Sequence, residues 1–337
     1  MGKTRLGIDI GYDMMKIALV NKGNLKKSAV FQMPENMVKE GRVVSIEATG
    51  EMIRDLLKEN KIRAHEADVV LPNETVFIRN VIMPQMTVEQ LKTNLPYEFR
   101  DYISTELQKY YYDYAMIRSE VDQVSEEEPK DGEEPIGKGM ELMAVAAQKD
   151  IIEEIRTMLR KAGLKLRRAA PAVSCWQGLI RKCGSKEDEY CILDLGYKAI
   201  RMDMFTGDRH MVTRELDVGI ERLVSVIADV AAIDEHLAEL YLIEDHDNWQ
   251  SNEVCKTSYE NIAVDLMRAL NFYRFSTPET KLNDIYLCGG GALIKPLCDT
   301  IGETVGMNIH SITELIPNGD QVENGPLLAQ AIGITLE

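Results

Sequence analysis

Apolar positions in this chain switch between a period of two and a period of three to four, and the switches divide it into three stretches. In the first 70 residues, short apolar runs alternate with Gly and Asn turns. The run beginning at Leu6 and ending in Asp9-Ile10-Gly11 predicts a strand. Residues 16–20, 25–32 and 43–45 predict further strands of a meander. A helix follows over 49–60, with Thr49 as N-cap and Met52, Ile53, Leu56 and Leu57 on one face. Residues 68–71 read as a buried strand.

The second stretch begins near Pro72. Residues 75–83 form a strand, and Thr87-x-x-Gln90 is a capping box that opens a helix. Pro96 must kink or restart that helix. Residues 110–117 are a strand; alternation puts only part of Tyr110-Tyr111-Tyr112 on one face. Residues 120–134 carry eight acids against one lysine, with Pro129 and Gly132, and read as a disordered loop. A strand over 140–147 precedes a helix begun by Asp150-x-x-Glu153. Its buried face holds Ile151, Ile152, Ile155, Met158 and Leu159, and Gly163 is its stop. Residues 164–169 are a further strand, grouped here with this α+β unit.

The third stretch starts with a helix over 173–182. Strands at 190–195 and 199–205 flank the turn Gly196-Tyr197-Lys198, and Gly207-Asp208 is a hairpin turn. Helices follow over 219–231, 234–244 and 258–276. Residues 284–288 are a strand, Gly289-Gly290-Gly291 a loop, and 294–305 and 326–333 are helices.

Length and charge narrow the function. A chain of 337 residues is comfortable for two lobes, and its net charge of −16 leaves no basic stripe for nucleic acid. No apolar run is long enough to span a bilayer, and the reading is a cytoplasmic protein. The six cysteines form no C-x-x-C pair and predict mostly buried free thiols rather than a zinc site. The five histidines show no metal-ligand pattern, and the seventeen methionines read as core filling.

Two segments repeat one design. Gly7-Ile8-Asp9-Ile10-Gly11-Tyr12-Asp13 aligns with Ile192-Leu193-Asp194-Leu195-Gly196-Tyr197-Lys198. Each is an apolar strand ending in Asp-x-Gly-Tyr, a turn, and a second strand. Glycine lets backbone approach an oxyanion, successive N–H groups make an anion nest, and a carboxylate at the strand end suits a hydrated divalent cation. The third element is strand 285–288, the glycine run, and a helix start, where backbone meets a phosphate or a flat ring. Singly each is a common turn or loop; their order and spacing make the set specific.

Together these pieces resemble the phosphate-1, phosphate-2 and adenosine motifs of the actin-like ATPase superfamily, in its bacterial cell-division and pilus branch, and within that branch the PilM family of type IV pilus assembly proteins. Met143-Ala144-Val145-Ala146-Ala147-Gln148-Lys149-Asp150-Ile151 is similar to part of the family's small inserted subdomain. Thr213-Arg214-Glu215-Leu216-Asp217-Val218-Gly219 is similar to its segment after phosphate-2, and residues 326–333 to its closing helix. The resemblance implies an α/β, actin-like (ribonuclease H-like) two-lobed fold. It has duplicated βββαβα-type subdomains and a small α+β insert. The units are a first lobe over 1–71 with a closing segment about 315–337, the insert over 72–170, and a second lobe over 171–314.

The resemblance also implies a site. Asp9 and Gly11 stand at phosphate-1 with Lys16 near the phosphates. Asp194 and Gly196 stand at phosphate-2 beside Lys198, and Asp9 and Asp194 face Mg2+. Gly289, Gly290 and Gly291 line the adenosine, and Gly219 approaches the nucleotide, ATP or ADP. Asp265 and Arg268 reach base or ribose, against the competing reading of a solvated i, i+3 ion pair. Two departures stand out. Tyr12-Asp13-Met14 and Tyr197-Lys198-Ala199 replace the Ser or Thr usual in the turns. Ala170-Pro171-Ala172-Val173-Ser174 offers no base for an attacking water. The expectation is weakened or lost nucleotide binding and, at most, weak ATPase activity.

The implied role is a scaffold of the inner-membrane platform of a type IV pilus or related secretion or competence machine. Its implied partner is the N-terminal cytoplasmic tail of a PilN-like bitopic membrane protein, held between the first subdomain and the insert. Other platform proteins, and a homo-oligomer or ring, complete the expected contacts, without direct membrane insertion. The alternatives are an FtsA-like division protein, though no basic amphipathic tail closes this chain, and a small-molecule kinase of the same fold.

Overall fold

The computed structural model describes residues 4–104, 106–122 and 138–336. The chain opens with three antiparallel strands, β1 (Thr4–Ile10), β2 (Met14–Asn21) and β3 (Asn24–Gln32). A two-residue ribbon, β4 (Val38–Lys39) and β5 (Arg42–Val43), leads into α1 (Ile46–Glu59) and β6 (Glu66–Leu71). Next come β7 (Val76–Pro84), α2 (Val88–Asn94), β8 (Tyr110–Asp122), β9 (Lys138–Gln148), α3 (Lys149–Lys161) and β10 (Lys165–Pro171). Helix α4 (Ala172–Cys183) connects to β11 (Glu189–Leu195), β12 (Ile200–Thr206) and β13 (Arg209–Leu216). Helices α5 (Glu221–Ala231), α6 (Glu235–Ile243) and α7 (Glu253–Ser276) precede β14 (Asp284–Cys288). The chain closes with α8 (Lys295–Val305), β15 (Asn308–Ser311) and α9 (Gly325–Gly333).

The two large sheets are topological copies. One has the order β10-β6-β1-β2-β3, the other β15-β14-β11-β12-β13 when read in the same direction. In each, three antiparallel strands are joined by two parallel ones that return through helices. The copies bury separate cores. One gathers Leu6, Ile17, Ile53 and Leu159, and the other Leu193, Leu223, Tyr259 and Ile301. A third core joins them around α4 and α9, with Trp176 and Ala331 at its centre. Gly7 is needed there because a Cβ would lie 1.8 Å from the Ala331 carbonyl oxygen. The small sheet β7-β9-β8 packs its own core under α2 and Phe99.

Several local expectations change. Helix α1 begins earlier than periodicity suggests: Ser45 is the N-cap and accepts from Ala48 N at 3.3 Å. Thr49 is fully buried inside the helix, and its hydroxyl donates to the Ser45 carbonyl. Helix α3 is capped by Gln148 without a side-chain bond, and Asp150 instead accepts from Ile151 N. Gly163, at φ +79, does end the helix, and Leu164 N bonds back to Leu159 O. Residues 120–122 continue β8, and the rest of the stretch expected to be disordered, 123–134, lies outside the described residues.

The strand grouped with the insert, 164–169, belongs elsewhere. As β10 it pairs in parallel with β6 in the first large sheet, the counterpart of β15 in the second. The side chain of Asp68 on β6 is 1% exposed and takes a two-pronged bond from Arg167, with Nε at 2.6 Å. A carboxylate buried that deeply needs such a partner, and β10 supplies it. Four of the six cysteines are buried, Cys298 is half-buried and Cys183 exposed, and all are free.

Candidate functional site

The ends of β1–β2 and β11–β12 face each other across a cleft. Each turn is built the same way. Gly11 N donates to Met14 O at 2.9 Å, and at Gly196 a Cβ would sit 2.6 Å from the Ala199 carbonyl oxygen. The first N–H of the first turn is therefore spent inside the turn. Strand register then places Asp9 opposite Lys16 and Asp194 opposite Arg201. The two Asp-to-cation pairs are equivalent positions of the duplicated unit, both seven residues apart.

The cleft floor is a buried charge cluster. Lys16 Nζ lies 3.2 Å from Asp9 Oδ2, with both side chains mostly buried. Burial alone would lower the lysine pKa, but Asp9 and Asp194 outweigh it and raise it. Asp194 accepts from Gln330 Nε2 of α9 at 2.8 Å. Its carboxyl is pushed up to about 6, first by burial, then by Asp9 and Asp203, against the pull of Arg201 and Lys16. The cleft thus holds a carboxylate short of positive charge.

The third motif completes the wall. Gly289 has φ +82, and a Cβ there would meet Asp194 Oδ1 at 2.4 Å. Gly290 faces open space. Around them the lining is apolar, from Ile220, Leu242, Ile243, Leu293 and Ile294, with Gln250 as a polar contact.

Of the residues predicted for the site, Asp9, Gly11, Lys16, Asp194, Gly196, Lys198, Gly289 and Gly290 line this cleft. Lys198 is ion-paired with Glu221 at the start of α5. Gly291 is a packing position, where a Cβ would strike Ile220 and Leu195. Gly219 is packed against the second turn, its would-be Cβ 2.1 Å from Tyr197 O, and Ile220 N and Glu221 N bond that turn's carbonyls. Asp265 and Arg268 lie on α7 outside the lining and pair with each other at 2.9 Å, Arg268 exposed and Asp265 half-buried. The solvated ion pair is what the structure shows. Sequence reading missed Arg201, Gln330, Glu239 and Gln250. The seven-residue spacing of Asp9 and Lys16, repeated in Asp194 and Arg201, was the available signal for Arg201. Helix packing brings in the other three, and no local pattern marks them.

The residues fit a nucleotide with a divalent cation in part. Asp9 and Asp194 converge, and the under-neutralised Asp194 is what a hydrated cation would complete. Among the described residues no three His, Cys, Asp or Glu side chains form a direct metal shell, so water would have to mediate. Lys16, Lys198 and Arg201 are all ion-paired already, Arg201 with Glu215. The Tyr12 hydroxyl does not serve the turn as a serine would. It donates to Glu74 at 2.8 Å and accepts from Gly41 N, and burial followed by Glu74 pushes the phenol up to about 12.

A family model described as type IV pilus assembly protein PilM matches residues 7–331. No curated protein matches the chain. Among solved structures, a PilM–PilN type IV pilus biogenesis complex is similar at 21% identity, over 99% of this chain and 98% of that one, with a TM-score of 0.80. Ethanolamine utilization protein EutJ from Carboxydothermus hydrogenoformans is similar at 15% identity, over 100% and 90% of the two chains, with a TM-score of 0.62. A protein from Bacteroides thetaiotaomicron with an actin-like ATPase fold aligns at 8% identity over 100% and 97%, with a TM-score of 0.50. These likenesses establish the actin-like ATPase fold.

Proposed function

The chain belongs to the family of the type IV pilus assembly protein PilM, and on that premise we propose that it is a scaffold of a pilus or related secretion platform at the inner face of the cytoplasmic membrane. Its partner is the short N-terminal tail of a PilN-like bitopic membrane protein. The observation that carries this reading is the family match over nearly the whole chain, supported by the fold shared with a PilM–PilN complex. No helix among the described residues is long and apolar enough to cross a membrane, so a protein partner would provide the tether. The units are the two sheet copies and the β7-β9-β8 insert.

The tail would lie between the insert and the first lobe. Tyr111 stands there, 43% exposed on β8, with Lys149 and Arg156 of α3 over its ring and Glu153 within 3.4 Å of its hydroxyl. Its neighbours Tyr110 and Tyr112 point to the other face of the strand, toward Phe77 and Phe99. An exposed aromatic ringed by charged side chains suits an extended peptide with an apolar anchor.

Nucleotide would tune closure of the lobes rather than drive chemistry. Asp9 and Asp194 would hold the hydrated cation, which would supply charge neutralisation, and Lys16 would approach the phosphates. Residues 170–174 offer no base for water: Ser174, their one polar residue, is buried in the first turn of α4. A titration of the partner's tail peptide, run with and without Mg–ATP while phosphate release is followed, tests the reading. Saturable binding with turnover near background is expected. No binding in either condition would overturn the scaffold reading, and brisk turnover would overturn the non-catalytic one.

A further inference from the structure

The first turn carries a carboxyl that the phosphate site does not use. Asp13 follows Tyr12 and is half-buried, and its carboxyl faces that of Glu239 on α6 across the cleft, the two held on one amide. The amide of Gln32, at the end of β3, donates to Asp13 Oδ1 and to Glu239 Oε2, each at 2.9 Å. Glu239 is 8% exposed. Two carboxyls gathered on one amide repel when both are ionised, so this arrangement favours one proton on the pair. This is the point where the first turn meets a helix of the opposite sheet copy.

We propose that Asp13 and Glu239 form a protonation latch across the cleft, closed while the pair holds one proton and released when both carboxyls ionise. The latch stands on the geometry of the cleft and needs no nucleotide. Other charges face the pair. Lys16 of β2 and His236 of α6 favour ionisation of Asp13. Tyr197 in the second turn, and Glu221 and Glu235 of α5 and α6, share the same pocket mouth, and Lys198 is held by Glu221. Burial, then the Asp13 charge, raises Glu239 to about 8, so the pair keeps its proton at neutral pH. The Gln32-bridged contact is therefore held below that value and opposed by repulsion as pH rises through it. An unpaired Glu239 would be repelled by Asp13 and pulled toward water, which is available only if the lobes part.

Carboxyl carbon NMR of protein labelled in its Asp and Glu side chains, with small-angle X-ray scattering over about pH 6 to about pH 9.5, tests this. The wild type should show a carboxyl titrating near pH 8 that is missing in Glu239→Gln. Its radius of gyration should rise through the same window. Glu239→Gln keeps a donor at every pH and should stay compact throughout, as should Asp13→Asn. His236→Gln should leave the transition in place. No carboxyl titrating above neutrality in the wild type, a flat scattering profile, or opening of Glu239→Gln like the wild type would each overturn the latch. So would loss of the transition in His236→Gln, which would assign it to the imidazole.

Discussion

At the scale of single residues, the cleft is a charge balance that leans acidic. Lys16 serves both Asp9 and Asp194, and Arg201 is divided between Asp194 and Glu215. Asp194 is left under-compensated, with its carboxyl at about 6 rather than the ordinary 3.8. A carboxyl raised on folding contributes stability that is complete below its unfolded value and lost as pH rises through the folded one. Asp194→Asn removes that loss and keeps an oxygen to accept from Gln330. It should therefore unfold at higher temperature than the wild type at pH 7 to 8, by roughly 1–2 kcal/mol, with the difference gone near pH 4. A wild type more stable than the variant at pH 8 would mean that Asp194 is satisfied as a carboxylate and needs no cation. The residues that fill the turns were legible in the sequence. Their bonding was not, because where the Tyr12 hydroxyl goes depends on Glu74, 62 positions away.

At the scale of elements, periodicity found most helices and missed where they begin. The apolar face of α1 includes Thr49, which is buried, so its hydroxyl back-bonds within the helix and cannot cap. Ser45 has extended backbone, at φ −129, and caps instead. Ser45→Ala should cost about 1 kcal/mol, seen as a melting temperature lower by roughly 2–4 °C, and Ser45→Asp should restore it. A neutral Ser45→Ala would place the start of α1 elsewhere. The repeated strand–turn–strand pattern was clear at 6–20 and 190–205, since short spacing constrains antiparallel pairing. Strand β10 was misplaced because parallel pairing leaves no local signature: its partner β6 lies across β7–β9 and α3 in sequence.

At the scale of the whole molecule, the insert is fixed to the second sheet copy as well as to the first. Glu141 of β9, 5% exposed, is ion-paired with Arg209 at the start of β13 and lies 3.7 Å from Arg118. Asn80 of β7 donates to the His210 carbonyl at 2.8 Å. Arg209→Ala would leave the buried Glu141 with the longer ion pair to Arg118, at 3.7 Å. The expected loss is about 3 kcal/mol, or roughly 6–12 °C in melting temperature. The paired change Glu141→Gln with Arg209→Ala should recover most of it, since the buried charge is then gone. Equal losses in the single and double variants would show that the insert is held by apolar packing alone.

What the sequence determined by itself was the duplicated design. Asp-x-Gly-Tyr between apolar strands, repeated, and a glycine run after a third strand are local features, and backbone geometry makes them readable one turn at a time. It therefore carried the fold and the turn residues at the centre of the cleft. Tertiary structure alone decided which charges cancel, which glycines are packing positions, and that Gln330 and Glu239 enter the cleft, with Gln32 bonded to Glu239. Those outcomes depend on contacts between segments 100 to 300 residues apart, such as Gln330 on Asp194 and Gln32 on Glu239. Burial and pairing are properties of the assembled core, and a local pattern of apolar and polar positions does not encode them.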